Sequence, residues 1–292
     1  MPSKIYYEIV ENRKSQFNPF QSFDHREFIC GWGAAGINIF LTFPVYKMIF
    51  RQMLHGIKIR SAFNQLHNEG IAYLYRGIGP PLLQKTLSLS VMFGVYDGVK
   101  KPAIDVYNMN QYSAKCFAGL VSGTFEAVLM PFERIQTILA DSYYHEKYKN
   151  TYHAFRMIYT EFGLKELYRG LVPILLRNGP SNAVFFILRE EAQKLPQKEG
   201  VLYANMQQFV SGAVIGAFTS SIFYPLNVVK VVIQSKIGGK YDNVLVVFKE
   251  IYKTRDRSIR NVYKGLNMNC LRAAISWGIM NSAYENLRKV IY

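Results

Sequence analysis

Six apolar stretches alternate with polar segments along this chain, and they fall into three pairs. The first members of the pairs span about 27–53, 113–140 and 205–235, and each contains a proline, at Pro44, Pro131 and Pro225. The second members span about 78–100, 171–194 and 266–290. A helix of about 20 residues is long enough to cross a bilayer. The pattern therefore predicts six transmembrane helices.

A triplet of aromatic, basic and glycine residues follows each polar linker. It occurs at Tyr75–Gly77, Tyr168–Gly170 and Tyr263–Gly265, with spacings of 93 and 95 residues. The three prolines are spaced by 87 and 94 residues, so two separate markers recur with nearly the same period. Recurrence at a fixed period indicates a repeat architecture. We predict an all-α membrane protein in which three pseudo-symmetric helical hairpins surround a threefold axis.

The repeats divide the chain into a tail and three units of one transmembrane domain. The predicted boundaries are 1–26 for the tail and 27–104, 105–198 and 199–292 for the repeats. Amphipathic segments in the linkers predict one short helix each, at Lys58–Asn68, Tyr152–Phe162 and Asn243–Lys253. The tail resembles neither a signal peptide nor an acid-poor transit peptide, so we expect any organelle address to lie inside the mature chain.

Basic residues are concentrated around the linkers. Segments 47–76, 133–170 and 230–264 together hold 20 Lys and Arg against 9 Asp and Glu, which predicts that the linkers share one side of the membrane. The net charge of +15 indicates an anionic partner, such as nucleic acid, anionic lipid or a small anion. A nucleic-acid binder is disfavoured, because the bases follow the linkers instead of forming one stripe.

The sequence lacks the common signatures of an enzyme. Its five histidines are scattered outside the predicted spans, and neither a Walker loop nor GxGxxG after a strand is found. Cys30, Cys116 and Cys270 follow no metal-ligand spacing, and their odd number argues against a disulfide framework. We predict no catalytic residue, no metal site and no resident cofactor.

Two carboxylates lie inside the third predicted span. Glu126 is near its middle, and Glu133 follows Pro131 by two positions. An ionisable side chain is costly at that depth, so it should face the interior of the bundle, an opposite charge or a water-filled cavity. This span is therefore predicted to line a cavity.

Glycines at GxxxG spacing occur in two of the three proline-containing spans. One pair is Gly119 and Gly123, and the other is Gly212 and Gly216. This spacing removes side chains from one helix face and lets a second helix approach closely in lipid. We predict close helix packing at both pairs.

These features resemble the mitochondrial carrier family over residues 27–290. The family motif has proline, any residue, acid, two residues and base on each odd helix, then acid-Gly before the aromatic-basic-glycine triplet. Glu69-Gly70 matches before the first triplet, and Phe162-Gly163 keeps the glycine before the second. The third copy departs from the motif with Arg257-Ser258.

The resemblance implies a ring of ion pairs that closes the matrix side, made by the acid and base of the proline motifs. The acid and base positions hold Tyr46 and Ile49 in the first repeat, Glu133 and Gln136 in the second, and Asn227 and Lys230 in the third. Only Glu133 with Lys230 retains a complete pair, so this matrix gate is expected to be weak.

A second ring is implied on the cytoplasmic side, from the even helices. The corresponding residues are Asp97, Lys100, Glu190, Glu285 and Arg288. The pairs that they permit are Lys100 with Glu190 and Arg288 with Asp97. The resemblance therefore predicts a stronger gate on the cytoplasmic side, with alternating access if a ligand offsets the cost of opening.

Substrate contacts in the family lie mid-membrane on the even helices. They correspond here to Gln84 and Lys85, Arg177 and Asn178, and Arg272. Arginine can hold phosphate through a bidentate fork, and lysine acts as a point charge. Glu126 is expected near the same level, where it either pairs with one of these bases or meets a positive part of the ligand.

NAD⁺ carries both kinds of group, because it has two phosphates and a cationic nicotinamide ring. Segments such as FPVYKMIFRQMLHGIK and ISWGIMNSAYE are similar to the NAD carrier subgroup of the family. That similarity assigns the substrate site to Lys85, Glu126, Arg177 and Arg272, supported by Gln84 and Asn178. Two alternatives stay open: a carrier of coenzyme A or an adenine nucleotide, and a carrier-fold scaffold that does not transport.

The resemblance also implies a location and partners. We expect a multi-pass protein of the mitochondrial inner membrane with both termini toward the intermembrane space. Its expected partners are NAD⁺ as substrate and membrane lipid, including cardiolipin at the matrix helices, without nucleic acid. The chain is expected to act as a monomer, because the pathway runs through one bundle.

Overall fold

The computed structural model describes residues 25–193 and 201–291, and every regular element in these ranges is a helix. The elements are α1 His25–His55, α2 Ile59–Glu69, α3 Ile71–Leu74, α4 Gly79–Asp105, α5 Gln111–Glu126, α6 Met130–Ala140, α7 Thr151–Phe162, α8 Leu164–Leu167, α9 Leu171–Gln193, α10 Val201–Ile222, α11 Tyr224–Ser235, α12 Val244–Thr254, α13 Ile259–Val262 and α14 Leu266–Ile291. The all-α prediction is confirmed. The predicted tail lies mostly outside the described residues, and α1 begins two residues before the predicted boundary.

The long helices form a closed ring. In order around it, α1 packs against α4, α4 against α5 and α6, α5 against α9, α9 against α10, and α10 against α14, which returns to α1. The three predicted hairpins are thus three neighbouring pairs in one ring. We call the end that holds the short helices the linker end and the opposite end the termini end.

By length and hydropathy, two described segments can cross a membrane on their own, Trp32–His55 and Leu164–Ala192. A third candidate is the bent pair Val210–Ile222 and Tyr224–Ser235, with an angle of 62° between its two parts. The other members of the ring carry more polar residues, such as Asn269 and Arg272 on α14, which line the interior. Polar residues that face a shared cavity lower the mean hydropathy of a span, but these residues are not exposed to lipid.

Proline breaks the odd spans in two of the three repeats. A 3₁₀ turn at Ala127–Leu129 separates α5 from α6, and Pro131 lies in the first turn of α6. Pro225 lies likewise at the start of α11, whereas α1 continues through Pro44. Proline is favoured at the start of a helix, where its missing N–H has no partner to lose. The breaks change the direction of the chain at the start of α6 and of α11, next to the cavity.

The triplet glycines hold a backbone conformation that other residues rarely adopt. Gly77, Gly170 and Gly265 have φ of 84°, 94° and 99°. Glycine reaches positive φ without the steric cost of a side chain. This requirement explains why glycine closes all three triplets.

The third repeat reaches its turn without the glycine that precedes the other two triplets. Gly70 and Gly163 have φ of 91° and 77°, but Ser258 has an ordinary φ of −111°. The chain instead reverses through Asp256 and Arg257, with φ of 56° and 51°. The third repeat therefore departs from the motif and makes the same connection through a different turn.

The bases of the first two triplets tie each repeat to the next. Arg76 donates hydrogen bonds to the carbonyls of Tyr144 and Tyr148 in the second linker. Arg169 donates to the carbonyls of Gly239 and Lys240 in the third linker, at 2.9 and 3.3 Å. The return from the third repeat to the first is made by Arg255, which donates to the carbonyl of Met53.

The two GxxxG pairs behave differently. A Cβ atom on Gly119 would lie 2.5 Å from the Cα of Ala183, and one on Gly123 would lie 2.5 Å from the carbonyl carbon of Asn178. The prediction of close packing is therefore confirmed for α5 against α9. It is wrong for Gly216, where nothing lies within 4 Å of the added atom.

A large apolar cluster fills the linker end. Ile49, Phe50 and Met53 of α1 pack there with residues of α11 and α12. Members from the latter helices include Tyr224, Val228, Val229, Val231, Val247 and Ile251. Burial of these side chains removes apolar surface from water and holds α1 against α11. The cluster forms a floor below the cavity.

Candidate substrate cavity

A cavity of about 280 Å³ lies inside the ring and is lined by all six spans. The substrate residues predicted from the sequence meet there: Gln84, Glu126, Arg177, Asn178 and Arg272 all contribute to its wall. They come from α4, α5, α9 and α14, which are far apart in sequence. Lys85 is on α4, but its side chain lies outside the described part of the structure.

Arg177 is held by neutral partners. Its Nη1 donates to Oδ1 of Asn227 at 2.6 Å, and its Nε donates to Oδ1 of Asn178 at 2.8 Å. Both acceptors are amide oxygens. The guanidinium is therefore fixed in place, while its positive charge is not cancelled by a carboxylate among the described side chains.

Glu126 also has neutral partners. It accepts a hydrogen bond from the hydroxyl of Ser88 and a longer one, at 3.5 Å, from Nδ2 of Asn178. Within the described side chains no cation lies within 4.0 Å of this carboxylate. Asn178 thus bridges Glu126 and Arg177, which keeps the opposite charges in one hydrogen-bonded row without direct contact.

Arg272 faces the same cavity from α14. Its Nε is buried and has no hydrogen-bond partner among the described residues. Tyr46 of α1 lines the same cavity. A buried guanidinium N–H without a partner is costly, so a ligand acceptor at this position would be stabilised.

The ion pair predicted for the matrix gate is present at the linker end of the cavity. Nζ of Lys230 on α11 contacts Oε1 of Glu133 on α6. In the first repeat, Ile49 stands at the position of the missing base and belongs to the apolar cluster below the cavity. An ion pair and a packed apolar floor thus lie at this end among the described residues, and the gating role of the pair stays a prediction.

The termini end has a larger charged cluster than predicted. Lys100 on α4 contacts Glu190 on α9 at 2.5 Å, as the sequence predicted. Glu190 also contacts Nζ of Lys115 on α5 at 2.9 Å and accepts from the hydroxyl of Tyr96 at 2.8 Å. Asp97 is exposed, and the side chains of Glu285 and Arg288 lie outside the described part. The gating roles of these residues stay predictions.

Four contributors to these sites escaped the sequence analysis. They are Ser88, Tyr96, Lys115 and the amide of Asn227 as a partner of Arg177. Lys115 could have been found, because a fully buried lysine inside an apolar span needs an anionic partner. The polar contacts of Ser88 and Asn227 join different spans, so no local sequence pattern predicts them.

The described residues contain no group of three His, Cys, Asp or Glu side chains that could hold a metal ion. Cys30 is buried and all three cysteines are free. The described side chains of the cavity wall offer hydrogen bonds and fixed charges to a ligand.

A family model for the mitochondrial carrier protein matches residues 22–105, 108–200 and 203–292, once for each repeat. The three matches together cover nearly the whole chain. The chain belongs to the mitochondrial carrier protein family. The cavity between the two charged clusters is thus the interior of a carrier bundle.

Several curated relatives of this carrier have names that state a substrate. It is 44% identical to the mitochondrial nicotinamide adenine dinucleotide transporter SLC25A51 of Mus musculus, over 92% of this chain and 90% of the relative. It is 43% identical to the protein of that name in Homo sapiens, over 91% and 90%. It is 41% identical to the mitochondrial nicotinamide adenine dinucleotide transporter SLC25A52 of Homo sapiens, over the same shares.

Proposed function

We propose that this carrier transports NAD⁺ across the mitochondrial inner membrane by alternating access through the central cavity. The observation that carries the proposal is the juxtaposition of two arginines with one carboxylate that has no ion pair among the described side chains. Arg177, Arg272 and Glu126 line one cavity, and a relative named above as an NAD transporter matches 92% of the chain.

The charges in the cavity suit the groups of NAD⁺. The guanidinium forks of Arg177 and Arg272 can hold the two phosphates through charge-assisted hydrogen bonds. Glu126 supplies the single negative charge that the cationic nicotinamide ring requires. Gln84 and Asn178 add neutral donors and acceptors, and Lys85 completes the predicted set from the adjacent position on α4.

Transport requires that the two ends open in turn. The pair of Glu133 with Lys230 lies at the linker end, and the cluster around Glu190 lies at the termini end. Breaking either cluster costs free energy, which binding of the ligand can offset only if the ligand interacts more strongly with the open state. We therefore propose that the carrier binds its substrate and opens at each end in turn, without an enzymatic reaction.

The basic linkers determine the proposed orientation. The more basic side of a membrane protein tends to remain inside, which places the linker end in the matrix and both termini in the intermembrane space. Arg260 and Lys264 line a groove beside the start of α14 at the linker end. We propose that this groove holds the headgroup of an anionic lipid such as cardiolipin and that the carrier works as a monomer.

Uptake of labelled NAD⁺ into liposomes that contain the purified carrier tests the proposal. We expect saturable uptake that coenzyme A and ATP do not inhibit. Arg177→Ala and Arg272→Ala should each abolish most of the uptake, because each removes a cation from the cavity wall. Their thermal stability in detergent shows whether the variants are folded.

The outcomes separate the proposed function from its alternatives. Inhibition by coenzyme A or ATP, together with uptake of that compound, would assign the carrier to another nucleotide. A folded and stable preparation that takes up none of the three compounds would favour a carrier-fold scaffold.

A further inference from the structure

The repeats place three equivalent residues on the cavity wall, two positions after each proline. These residues are Tyr46, Glu133 and Asn227, and all three line the cavity. Only Glu133 carries a charge. The chain therefore uses a carboxylate at this position in one repeat and avoids it in the other two.

Asn227 is the uncharged residue of this set that contacts a cavity arginine. Its amide oxygen accepts the 2.6 Å hydrogen bond from Nη1 of Arg177. The carboxylate of Glu133 contacts Lys230 of the neighbouring span. A neutral residue thus accompanies Arg177, and the acid accompanies a gate lysine.

A carboxylate at position 227 would have a different effect from the amide. Aspartate has the same shape as asparagine, so its oxygen would replace the amide oxygen as the acceptor from Arg177. The contact would then become an ion pair between half-buried groups, which is stronger than a neutral hydrogen bond. An anionic ligand would have to displace that carboxylate before it could bind Arg177.

We infer that Asn227 is a specificity-determining residue that keeps Arg177 available to an anionic substrate. Asn227 holds the Arg177 guanidinium in a fixed position without cancelling its charge. Tyr46 occupies the equivalent position of the first repeat and packs on Phe43 and Phe50. The missing acid in the third proline motif is then a consequence of substrate selection. This inference rests on the proposed function, because it names how the same site accepts its substrate.

Asn227→Asp tests the inference in the liposome assay. We expect the KM for NAD⁺ to rise roughly 10- to 100-fold, because the ligand loses its hydrogen bonds to the charged guanidinium of Arg177. The maximal rate should fall much less. Asn227→Ala removes the acceptor without adding charge and should raise KM less than Asn227→Asp does. Asn64→Asp makes the same exchange on an exposed position of α2 and serves as the matched control.

A double-mutant cycle identifies the partner of the new carboxylate. In an Arg177→Ala background, ligand binding is measured as the shift in thermal stability that millimolar NAD⁺ produces. Asn227→Asp should then have little further effect, because the guanidinium that it would neutralise is absent. An equal loss in both backgrounds would overturn the inference, and so would a fall in maximal rate at unchanged KM.

Failure of the proposed function can be told apart from failure of this inference. If the unaltered carrier does not transport NAD⁺, the same variants are compared by the stabilisation that ATP or coenzyme A produces. A loss of that stabilisation in Asn227→Asp would support the inference for another anionic nucleotide. If no anionic nucleotide stabilises the unaltered carrier, or if Asn227→Asp responds as the unaltered carrier does, the inference is wrong.

Discussion

Glu126 ends α5 just before the 3₁₀ turn, so its carboxylate projects into the cavity at the break of the span. Hydrogen bonds from Ser88 and Asn178 satisfy part of its acceptor capacity. They do not cancel its charge. A carboxylate inside a span is costly without a counterion even when it is only half-buried, and a cationic group of the ligand would relieve that cost.

Glu126→Gln should therefore reduce kcat/KM for NAD⁺ uptake by roughly tenfold or more, as expected when a charge on the cavity wall loses its interaction with a ligand. The glutamine can retain the contact with Ser88, so the thermal stability of the variant should remain close to that of the unaltered carrier. Liposome uptake and thermal unfolding in detergent measure the two effects. Glu146→Gln, at an exposed position of the second linker, is the control. Unchanged uptake in Glu126→Gln would show that the carboxylate only supports helix packing.

At the scale of elements, the contact between α5 and α9 positions the substrate site. Gly123 lies against the backbone of Asn178, which is the residue that bridges Glu126 and Arg177. The absence of a side chain at position 123 lets the two helices approach until this bridge forms. Packing and recognition therefore depend on the same contact.

Gly123→Ala should separate α5 from α9 and weaken both transport and stability. The added Cβ would lie 2.5 Å from backbone atoms of Asn178 and Gly179, which cannot move as a flexible side chain does. Overpacking of this kind costs about 1–3 kcal/mol. Thermal unfolding and NAD⁺ uptake measure the change.

Gly216→Ala is the matched control for that substitution. It makes the same exchange in the other GxxxG pair, where nothing lies within 4 Å of the added atom. Its effect on stability should be small, or slightly favourable because alanine promotes helix formation. Equal losses in the two variants would contradict the role of the contact between α5 and α9.

The elements show where local pattern is sufficient for prediction. The apolar runs predicted the long helices, and the amphipathic linker segments predicted α2, α7 and α12, because both patterns reflect periodic burial along one helix. The GxxxG spacing correctly predicted the close approach at Gly119 and Gly123, but the same spacing gave a wrong prediction at Gly216. Which glycine face meets another helix depends on the rotation of the helix in the bundle, and the spacing alone does not contain that information.

At the scale of the whole molecule, a buried charge network joins the second and third repeats. Glu166 pairs with Arg134 at 3.0 Å and with Arg169 at 2.8 Å, and all three side chains are nearly inaccessible. Arg134 also donates to the carbonyl of Lys236, and Glu166 accepts from the backbone N–H of Gly238. The network therefore fixes the third linker against the second repeat.

Glu166→Gln should destabilise the bundle strongly, because it leaves two buried guanidinium groups without their counterion. Removing one partner of a buried ion pair costs about 3–5 kcal/mol. We expect the midpoint of thermal unfolding to fall by roughly 10 °C.

Glu161→Gln provides the comparison for this prediction. Glu161 pairs with Lys147 at 3.4 Å, and both side chains are substantially exposed. An exposed pair contributes about 0–1 kcal/mol, so this variant should unfold near the normal temperature. A loss in Glu166→Gln as small as that in Glu161→Gln would mean that solvent reaches the network.

The sequence by itself determined the repeat plan, the positions of the helices and most of the charged residues of the cavity. Periodic apolar runs report burial directly, and Glu126 stands out because a charge inside an apolar span is costly. Arg177 and Arg272 were assigned from the resemblance to the mitochondrial carrier family. Recurrence at one period also aligned the three residues that follow the prolines.

Only the tertiary structure decided which of these groups touch. It placed Asn227 on Arg177, Ser88 on Glu126 and Lys115 on Glu190, across spans that are far apart in the chain. It also placed Ile49, which stands at the position of a missing gate charge, in the apolar cluster below the cavity. Such contacts depend on the rotation and distance of packed helices, and these are set by the interactions of the whole bundle, which no local pattern records.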